Sequence, residues 1–491
     1  MREIFLEKEQ NLMLRIVEEL YKSPTREITC KDLAEKLAID KRSVSRLIND
    51  IIDCSKKQGN PHFVYEKNIL RELAPNPPHP QELLNQMLKM SIKFQIIEKL
   101  FFETNTNVLK MCYDLNISRS VFQRRVSELH RFMKTFDINF TFYSNEPLRG
   151  DESQIRYFFH SLFWEVKESE YIKESPELQN VTTLLLNINP DIDYFTLKRL
   201  QLSVTIMQHR TKYHHYIMRK ERFIIEDHPF IGFTEFYNKM KTTNIFSYCP
   251  DEATAETECR YLYFVFCGID LIPLSKLTRI NYDINKYHDE IVETYLDFLQ
   301  IELPFKLTNI EKNYIKINQY YLHKTISVFK GHTKVYGMEN FSAKFQNLMP
   351  RDYQKMLEII DVFSAKNSKI RELKKRIPSF YQVYGMILCI IFANHKQKLK
   401  VLIQTKVSPL QLEFISWIIK SVALFPIEVV TIASLGKEEP DAIISDYIPP
   451  LQYKNVPFYN LSTIAYNDAF SGLELFICNI VDGKFMDTDN E

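Results

Sequence analysis

The chain has 491 residues, a formal net charge of +1, 45% hydrophobic and 25% charged residues, the balance of a globular protein long enough for about three to four domains. Ten glycines in that length argue against Gly-rich cofactor loops, and no apolar run approaches the roughly 18 residues of a membrane span. Near-neutral charge means that any nucleic-acid affinity must sit in a local patch. The eight cysteines form no C-x-x-C pair, which disfavours a zinc ribbon. With no signal-peptide pattern they read as reduced thiols of a cytoplasmic protein, with no metal or cofactor expected.

Residues 1–22 carry Phe5, Leu12, Leu14, Ile16, Val17 and Leu20 among charges, the pattern of one amphipathic helix ended at Ser23-Pro24-Thr25. The following stretch, REITCKDLAEKLAIDKRSVSRLINDIIDCSKK, predicts helix, turn, helix. Ile28, Leu33 and Leu37 build the first helix and Ala38-Ile39-Asp40 the turn. In the next, Val44, Leu47, Ile48 and Ile51 face inward, while Lys41, Arg42, Ser43, Ser45, Arg46 and Asn49 are candidates for DNA contact. The T-x-x-D-L-A-x-x-L-x-I pattern with S-V-x-R after the turn is a winged-helix signature, and His62-Phe63-Val64-Tyr65 predicts the wing strand. This gives a first winged-helix domain over 1–73.

Ala74–Pro80 holds four prolines in seven residues, a stiff linker. A second DNA-binding domain is expected over 81–150. Gln81–Phe102 is its first helix; Val108, Leu109 and Met111 begin a short apolar helix, and Asp114–Ile117 is the turn. Ser118 N-caps a helix whose Phe122, Val126, Leu129 and Met133 recur at helical spacing. Ser120, Gln123, Arg124, Ser127 and Arg131 fall on its other face. Arg125 lies nearer the apolar flank. A helix with one apolar side and an Arg/Gln/Ser side, placed second after a short turn, suits a major groove, since Arg reads guanine and Asn or Gln reads adenine. Phe136–Tyr143 alternates polar and apolar, predicting a β-strand that returns at Leu148-Arg149-Gly150.

The next stretch, LRGDESQIRYFFHSLFWEV, resembles the hinge of the Mga/AtxA family of bacterial virulence transcription regulators, and the order of the two upstream units resembles that family too. The resemblance covers essentially the full length. It implies a regulator, not an enzyme, that binds double-stranded promoter DNA and activates virulence or adaptation genes. From the residues themselves, Ile155, Phe158, Phe159, Leu162 and Phe163 make an apolar helix face for docking. Residues 151–290 and 295–395 read as two helical bundles; in the first, Leu200, Val204 and Met207 line one helix face and Leu202, Ile206 and Tyr213 another. In the family these bundles resemble regulatory domains of the sugar phosphotransferase system, whose histidines accept phosphate. The resemblance thus implies His209, His214, His215, His323 and His332 as phosphoacceptor candidates and a phosphotransferase phosphocarrier protein as a partner. A neutral imidazole has the required nucleophilicity, and the phosphate adds about two negative charges. The plain alternative is a satisfied core or interface histidine. Where strict domains of that class carry a histidine ahead of an arginine, this chain has Ser203 ahead of Arg210.

From 396 to 491 strands alternate with helices: Lys400–Gln404, Pro409–Ala423, Pro426–Ile432, Asp441–Ser445 and Val456–Tyr459, implying a small α/β domain with a parallel sheet. It resembles the IIB component of phosphotransferase permeases. There a cysteine follows the first strand; here the loop is Thr405-Lys406-Val407-Ser408. Without that cysteine the domain reads as one for homodimerisation, and eight Lys and Arg against twelve Asp and Glu argue against DNA contact by this end. The expected class is therefore mainly α, with tandem winged-helix/helix-turn-helix units, two helical-bundle regulatory domains and a C-terminal α/β domain. The alternatives are a phosphoryl-carrier or transferase enzyme and an RNA-binding antiterminator. No activated His or Cys cleft is evident for the first, and two helix-turn-helix units argue against the second.

Overall fold

The computed structural model describes residues 2–56, 63–72, 80–102, 107–144, 146–190, 192–269, 272–278, 282–303, 305–331, 350–376, 380–395, 398–404, 409–422, 427–435 and 438–445, with short stretches between 453 and 480. Among the described residues the fold is mainly helical, with three small sheets. It forms two compact units, one of Met1–Ile301, Leu307–Lys334 and Asn367–Pro378, the other of Glu302–Lys306, Val335–Lys366 and Ser379–Glu491. Among the described residues no helix is long and apolar enough to cross a membrane.

The first head is a winged helix. Helices Lys8–Lys22, Cys30–Leu37 and Lys41–Lys56 pack around Leu14, Ile16, Val17, Leu33, Val44, Leu47 and Ile51. Strand Ile69–Glu72 lies antiparallel between Glu27–Thr29 and Phe63–Glu66. The hairpin turns at Lys67-Asn68, both at positive φ (50° and 63°), as a two-residue turn with right-handed strands requires. Thr29 accepts the Asp32 amide and caps Cys30–Leu37; Ala38, at φ 52°, turns the chain; Asp40 accepts the Ser43 amide at 2.9 Å and opens the next helix.

The second head repeats these devices. Asn107 caps Val108–Asp114, Asn116 (φ 50°) makes the turn, and Ser118 caps Arg119–Lys134, as expected from its sequence. Leu109, read with Val108 and Met111 as the start of a short apolar helix, is 77% exposed. Met111 of that helix is fully buried and Val108 and Cys112 beside it are half-buried, while Leu109 falls on the opposite side. The alternating Phe136–Tyr143 stretch pairs as a strand only at Asn139–Phe140, against Leu148–Arg149. Its aromatic side chains still alternate, with Phe136, Ile138, Phe140 and Phe142 buried and Tyr143 exposed.

The N-terminal helix is not continuous. It breaks between Arg2–Phe5 and Lys8–Lys22 at Glu7, which is extended (φ −75°, ψ 161°) and forms a capping box with Gln10, satisfying amides that a helix start leaves open. The break carries Phe5 out of the first head. Its fully buried ring meets Phe94 at 5.9 Å and Phe132 at 5.8 Å, both edge to face, and Ser91 Oγ donates to its carbonyl. The core of the second head is thus completed by the first residues of the chain.

The hinge helix, Glu152–Tyr171, buries Ile155, Phe158, Phe159, Leu162 and Phe163, as its periodicity indicates. It runs beside Tyr194–Lys212, which buries residues around its circumference, including Leu200, Leu202, Val204, Ile206 and Met207. Tyr213, expected inside, is the C-cap of that helix and 39% exposed. Helix Glu252–Ile269 packs on Tyr194–Lys212 and on Asn309–Val328. In the second unit, Pro350–Lys366 packs on Phe380–His395. Four parallel strands follow in the order Ile427–Val430, Leu399–Gln404, Ala442–Ser445, Phe458–Asn460, close to the sequence expectation. Apolar clusters around Val401 and Ile444 and around Leu402 and Ile443 cover the two faces.

Candidate nucleic-acid interface

The two helices that follow the turns, Lys41–Lys56 and Arg119–Lys134, each bury an apolar stripe and leave a cationic face outward. The second carries five Lys and Arg against one Glu. Lys41, Arg42, Arg46, Asn49, Ser120, Gln123, Arg124, Ser127 and Arg131 are exposed; Ser43 and Ser45 are half-buried. The exposed set divides by electrostatics. Lys41, Arg42, Arg124 and Arg131 make no ion pair among the described residues, so an incoming phosphate competes with no carboxylate. Arg46 is held by Glu9 at 2.7 Å, and this hydrogen bond and charge keep the Glu9 carboxylate below its usual range. Arg125 pairs with Glu7 at 2.7 Å and with Glu128, so it ties the heads together.

The smaller side chains divide likewise. Ser43 Oγ is spent on Asp40 and Ser127 Oγ on the Gln123 carbonyl. Ser45 Oγ lies 2.8 Å from the Tyr65 hydroxyl and 3.5 Å from Cys30 Sγ, bracketing the helix to the wing. Three further residues share the outward surface without being legible in the helical pattern. Arg119 is exposed in the first turn of its helix, Lys67 at the tip of the first wing and Tyr143 beside the second hairpin. Lys67 and Tyr143 lie outside any helix, where periodicity carries no signal.

Behind the second head, the hinge motif builds a buried ionic network. Arg156 is fully buried; its Nε donates to Glu152 at 2.8 Å, its terminal nitrogens to both Glu258 oxygens and to the His215 carbonyl at 2.9 Å. Arg210 grips Glu152 with two bonds, 2.9 and 2.7 Å. Burial opposes both charges, yet Glu258 and Glu152 raise the Arg156 pKa and the two arginines hold Glu152 below its usual range. A strap crosses the same helix. The Gln154 amide exchanges two 2.8 Å bonds with the Lys330 backbone, Lys330 Nζ reaches Asp137 at 2.8 Å, and Phe329 stacks on Tyr157 at 4.4 Å. Gly331 (φ 100°) lies so close to Phe136 that a Cβ there would stand 2.3 Å from its ring. Helix Asn309–Val328 is thereby bound to the second head.

The histidines differ in access. His214, at φ 64°, is exposed and hydrogen-bonds the Tyr216 hydroxyl. His215 is half-buried and its pKa is lowered, mainly by burial. His209 is half-buried, its Nε2 3.0 Å from the Phe101 carbonyl and its ring on Phe101 at 4.6 Å; burial lowers its pKa. With Nε2–H donating to that carbonyl, Nδ1 keeps the lone pair. His323 is buried, 3.1 Å from Asp289. Burial works against the Asp289 carboxylate, but the bond from His323 and two backbone amides hold it low. The structure does not bring the histidines into one cluster: His209, His214 and His215 flank the end of one helix and His323 lies on another. His332 and the loop 405–408 lie outside the described residues. Among the described residues no group of side chains could hold a metal ion.

Residues 79–163 match the Mga helix-turn-helix domain, a span that opens at Pro80–Met90 and closes within the hinge helix. Over 495 residues the chain is 21% identical to a protein of Streptococcus pneumoniae serotype 4 whose name describes a trans-acting regulator, with 93% of this chain and 95% of that protein covered. The helix-turn-helix match over 79–163 and the likeness to a trans-acting regulator together support a DNA-binding transcription regulator.

Proposed function

We propose that both heads engage duplex promoter DNA, the second through Arg119, Gln123, Arg124 and Arg131 and the first through Lys41, Arg42 and Asn49, with Arg46 joining once Glu9 releases it. The observation that carries this reading is the pair of outward helix faces on which Lys41, Arg42, Arg119, Arg124 and Arg131 are exposed and make no ion pair among the described residues. Phosphate contacts position such a protein, and Arg, Asn and Gln supply base readout. Because Phe5 and Arg125 join the heads, they engage DNA as one body, which favours a footprint longer than one helix-turn-helix unit protects. Footprinting of the full chain on promoter DNA tests this: two protected segments are expected, and protection of only one removes the first head from the interface.

The reading extends to control of virulence or adaptation genes through phosphoryl transfer from a phosphotransferase phosphocarrier protein. His214 offers the most open acceptor. Phosphate on His323 would face the Asp289 carboxylate, and the repulsion would act on the helix that carries the strap to the second head. Mapping phosphohistidine by mass spectrometry without acid tests this; no phosphate on His209, His214, His215, His323 or His332 would remove it. For the C-terminal α/β domain the reading is homodimerisation, supported by Trp417, which is 63% exposed on the helix Pro409–Val422. Sedimentation of a chain lacking 396–491 should show monomers; a persistent dimer would place the interface elsewhere.

A further inference from the structure

A cavity of about 240 Å³ opens where the matched DNA-binding segment meets the helix Tyr194–Lys212. Its walls are part aromatic and part polar, with Ser175, Thr205, Gln208 and Ser247 beside the rings. Phe101 and Phe102 come from the last turn of Ile92–Phe102, Phe163 and Tyr171 from the hinge helix. Phe163 stacks on Tyr171 at 4.0 Å and on Phe102 at 5.9 Å. The Tyr171 hydroxyl is spent on Glu98 at 2.7 Å and His209 Nε2 on the Phe101 carbonyl, so the polar atoms of two wall residues already have protein partners. Lys173 and Lys212 also line it, and both are exposed. Neither makes an ion pair among the described residues; Lys173 Nζ lies 5.7 Å from the Phe102 ring centre. Among the described residues Glu177 is the single carboxylate lining the cavity.

These features select a chemistry. A closed apolar cavity of about 150 Å³ holds benzene, so this one has room for a single ring and one substituent. Flat rings pair favourably with such walls, and two ammonium groups that make no ion pair among the described residues favour a negative substituent. We propose that this cavity is an effector site for a monocyclic aromatic anion, its ring against Phe102, His209 and Tyr248, the lining rings that are not buried, and its carboxylate or phosphate at Lys173 and Lys212. The occupant would touch the DNA-binding segment and the helix of His209 at once, so a shift of one against the other on DNA binding would change its affinity, and the occupant would change DNA affinity by the same factor.

The test is calorimetric titration of the unphosphorylated full chain with phenyl phosphate and with benzoate, with inorganic phosphate as the control. Either aromatic anion should bind saturably at one site and at least about tenfold more tightly than phosphate. Lys173→Ala with Lys212→Ala, both at exposed positions, should weaken binding at least about tenfold with an unchanged unfolding midpoint. Thr205→Phe, which fills the cavity, should abolish it. The proposal is overturned by no saturable binding below about 10 mM, by equal binding of phosphate alone, or by indifference to both variants. No DNA enters the assay, so its failure would leave the DNA-binding reading standing.

Discussion

Replacing Phe5 with alanine tests how the N-terminus is joined to the second head. The ring is fully buried and meets Phe94 and Phe132 edge to face at 5.9 and 5.8 Å. Truncating a buried phenylalanine costs about 3–5 kcal/mol, transfer and cavity terms together, and each edge-to-face pair accounts for about 0.5–1.5 kcal/mol beyond area alone. The Ser91 bond to the Phe5 carbonyl survives the change, so the loss is one of packing. Against a total stability of about 5–15 kcal/mol, such a cost is readily measured as a shift in urea midpoint at constant slope. Phe5→Leu keeps most of the volume and should cost less than about 1.5 kcal/mol. Because the ring couples the heads, Phe5→Ala should also weaken binding to a long duplex more than to one spanning a single protected segment. A stability change below about 1 kcal/mol, or equal loss on both duplexes, would refute the claim that this residue makes one body of two heads.

Three further outcomes follow from the same reasoning. Glu9→Gln should release Arg46 and tighten DNA binding about two- to fivefold at low salt; unchanged affinity in a gel-shift titration would show that Arg46 does not reach DNA. Arg156→Met strands Glu258 uncompensated in the interior and should cost about 3–5 kcal/mol, while the double change Arg156→Met with Glu258→Met should recover much of that; equal losses in urea would deny the pairing. Burial lowers the pKa of His209 and takes that of His160 to about 3, whereas the unfolded imidazoles titrate near about 6.5. As pH falls through that value the unfolded chain takes up protons that the folded chain refuses, so stability should fall from pH 7.5 to 5.5. Equal urea midpoints at the two pH values would contradict this, and His160→Gln should flatten the slope.

Periodicity made much of the fold legible. The stripe Val44, Leu47, Ile48 and Ile51 and the hinge face Phe158, Phe159 and Phe163 follow from spacing alone, and the Ser118 cap from local chemistry. The same spacing indicates which arginines face outward. It does not say what else lies there: Glu9 on Arg46, Glu7 on Arg125 and Tyr65 on Ser45 come from distant segments. Glu258 lies 102 residues from Arg156, and the Lys330 backbone 176 from Gln154. Such partners are set by tertiary packing, which one sequence does not encode in any local pattern. The break at Glu7 is hidden because its apolar residues fit a continuous helix, and only the pull of Phe5 into another core reveals it.

Arg42, Arg124 and Arg131, whose guanidinium groups make no ion pair among the described residues, should hold DNA phosphates, and the salt dependence of binding tests this most directly. Every phosphate that the protein no longer neutralises lowers the slope of log affinity against log salt by about 0.9. Arg42→Ala, Arg124→Ala and Arg131→Ala combined should therefore flatten the slope by up to about 2.7 and weaken binding, with no change in unfolding midpoint. A variant that folds normally and keeps the parent slope and affinity would contradict the account.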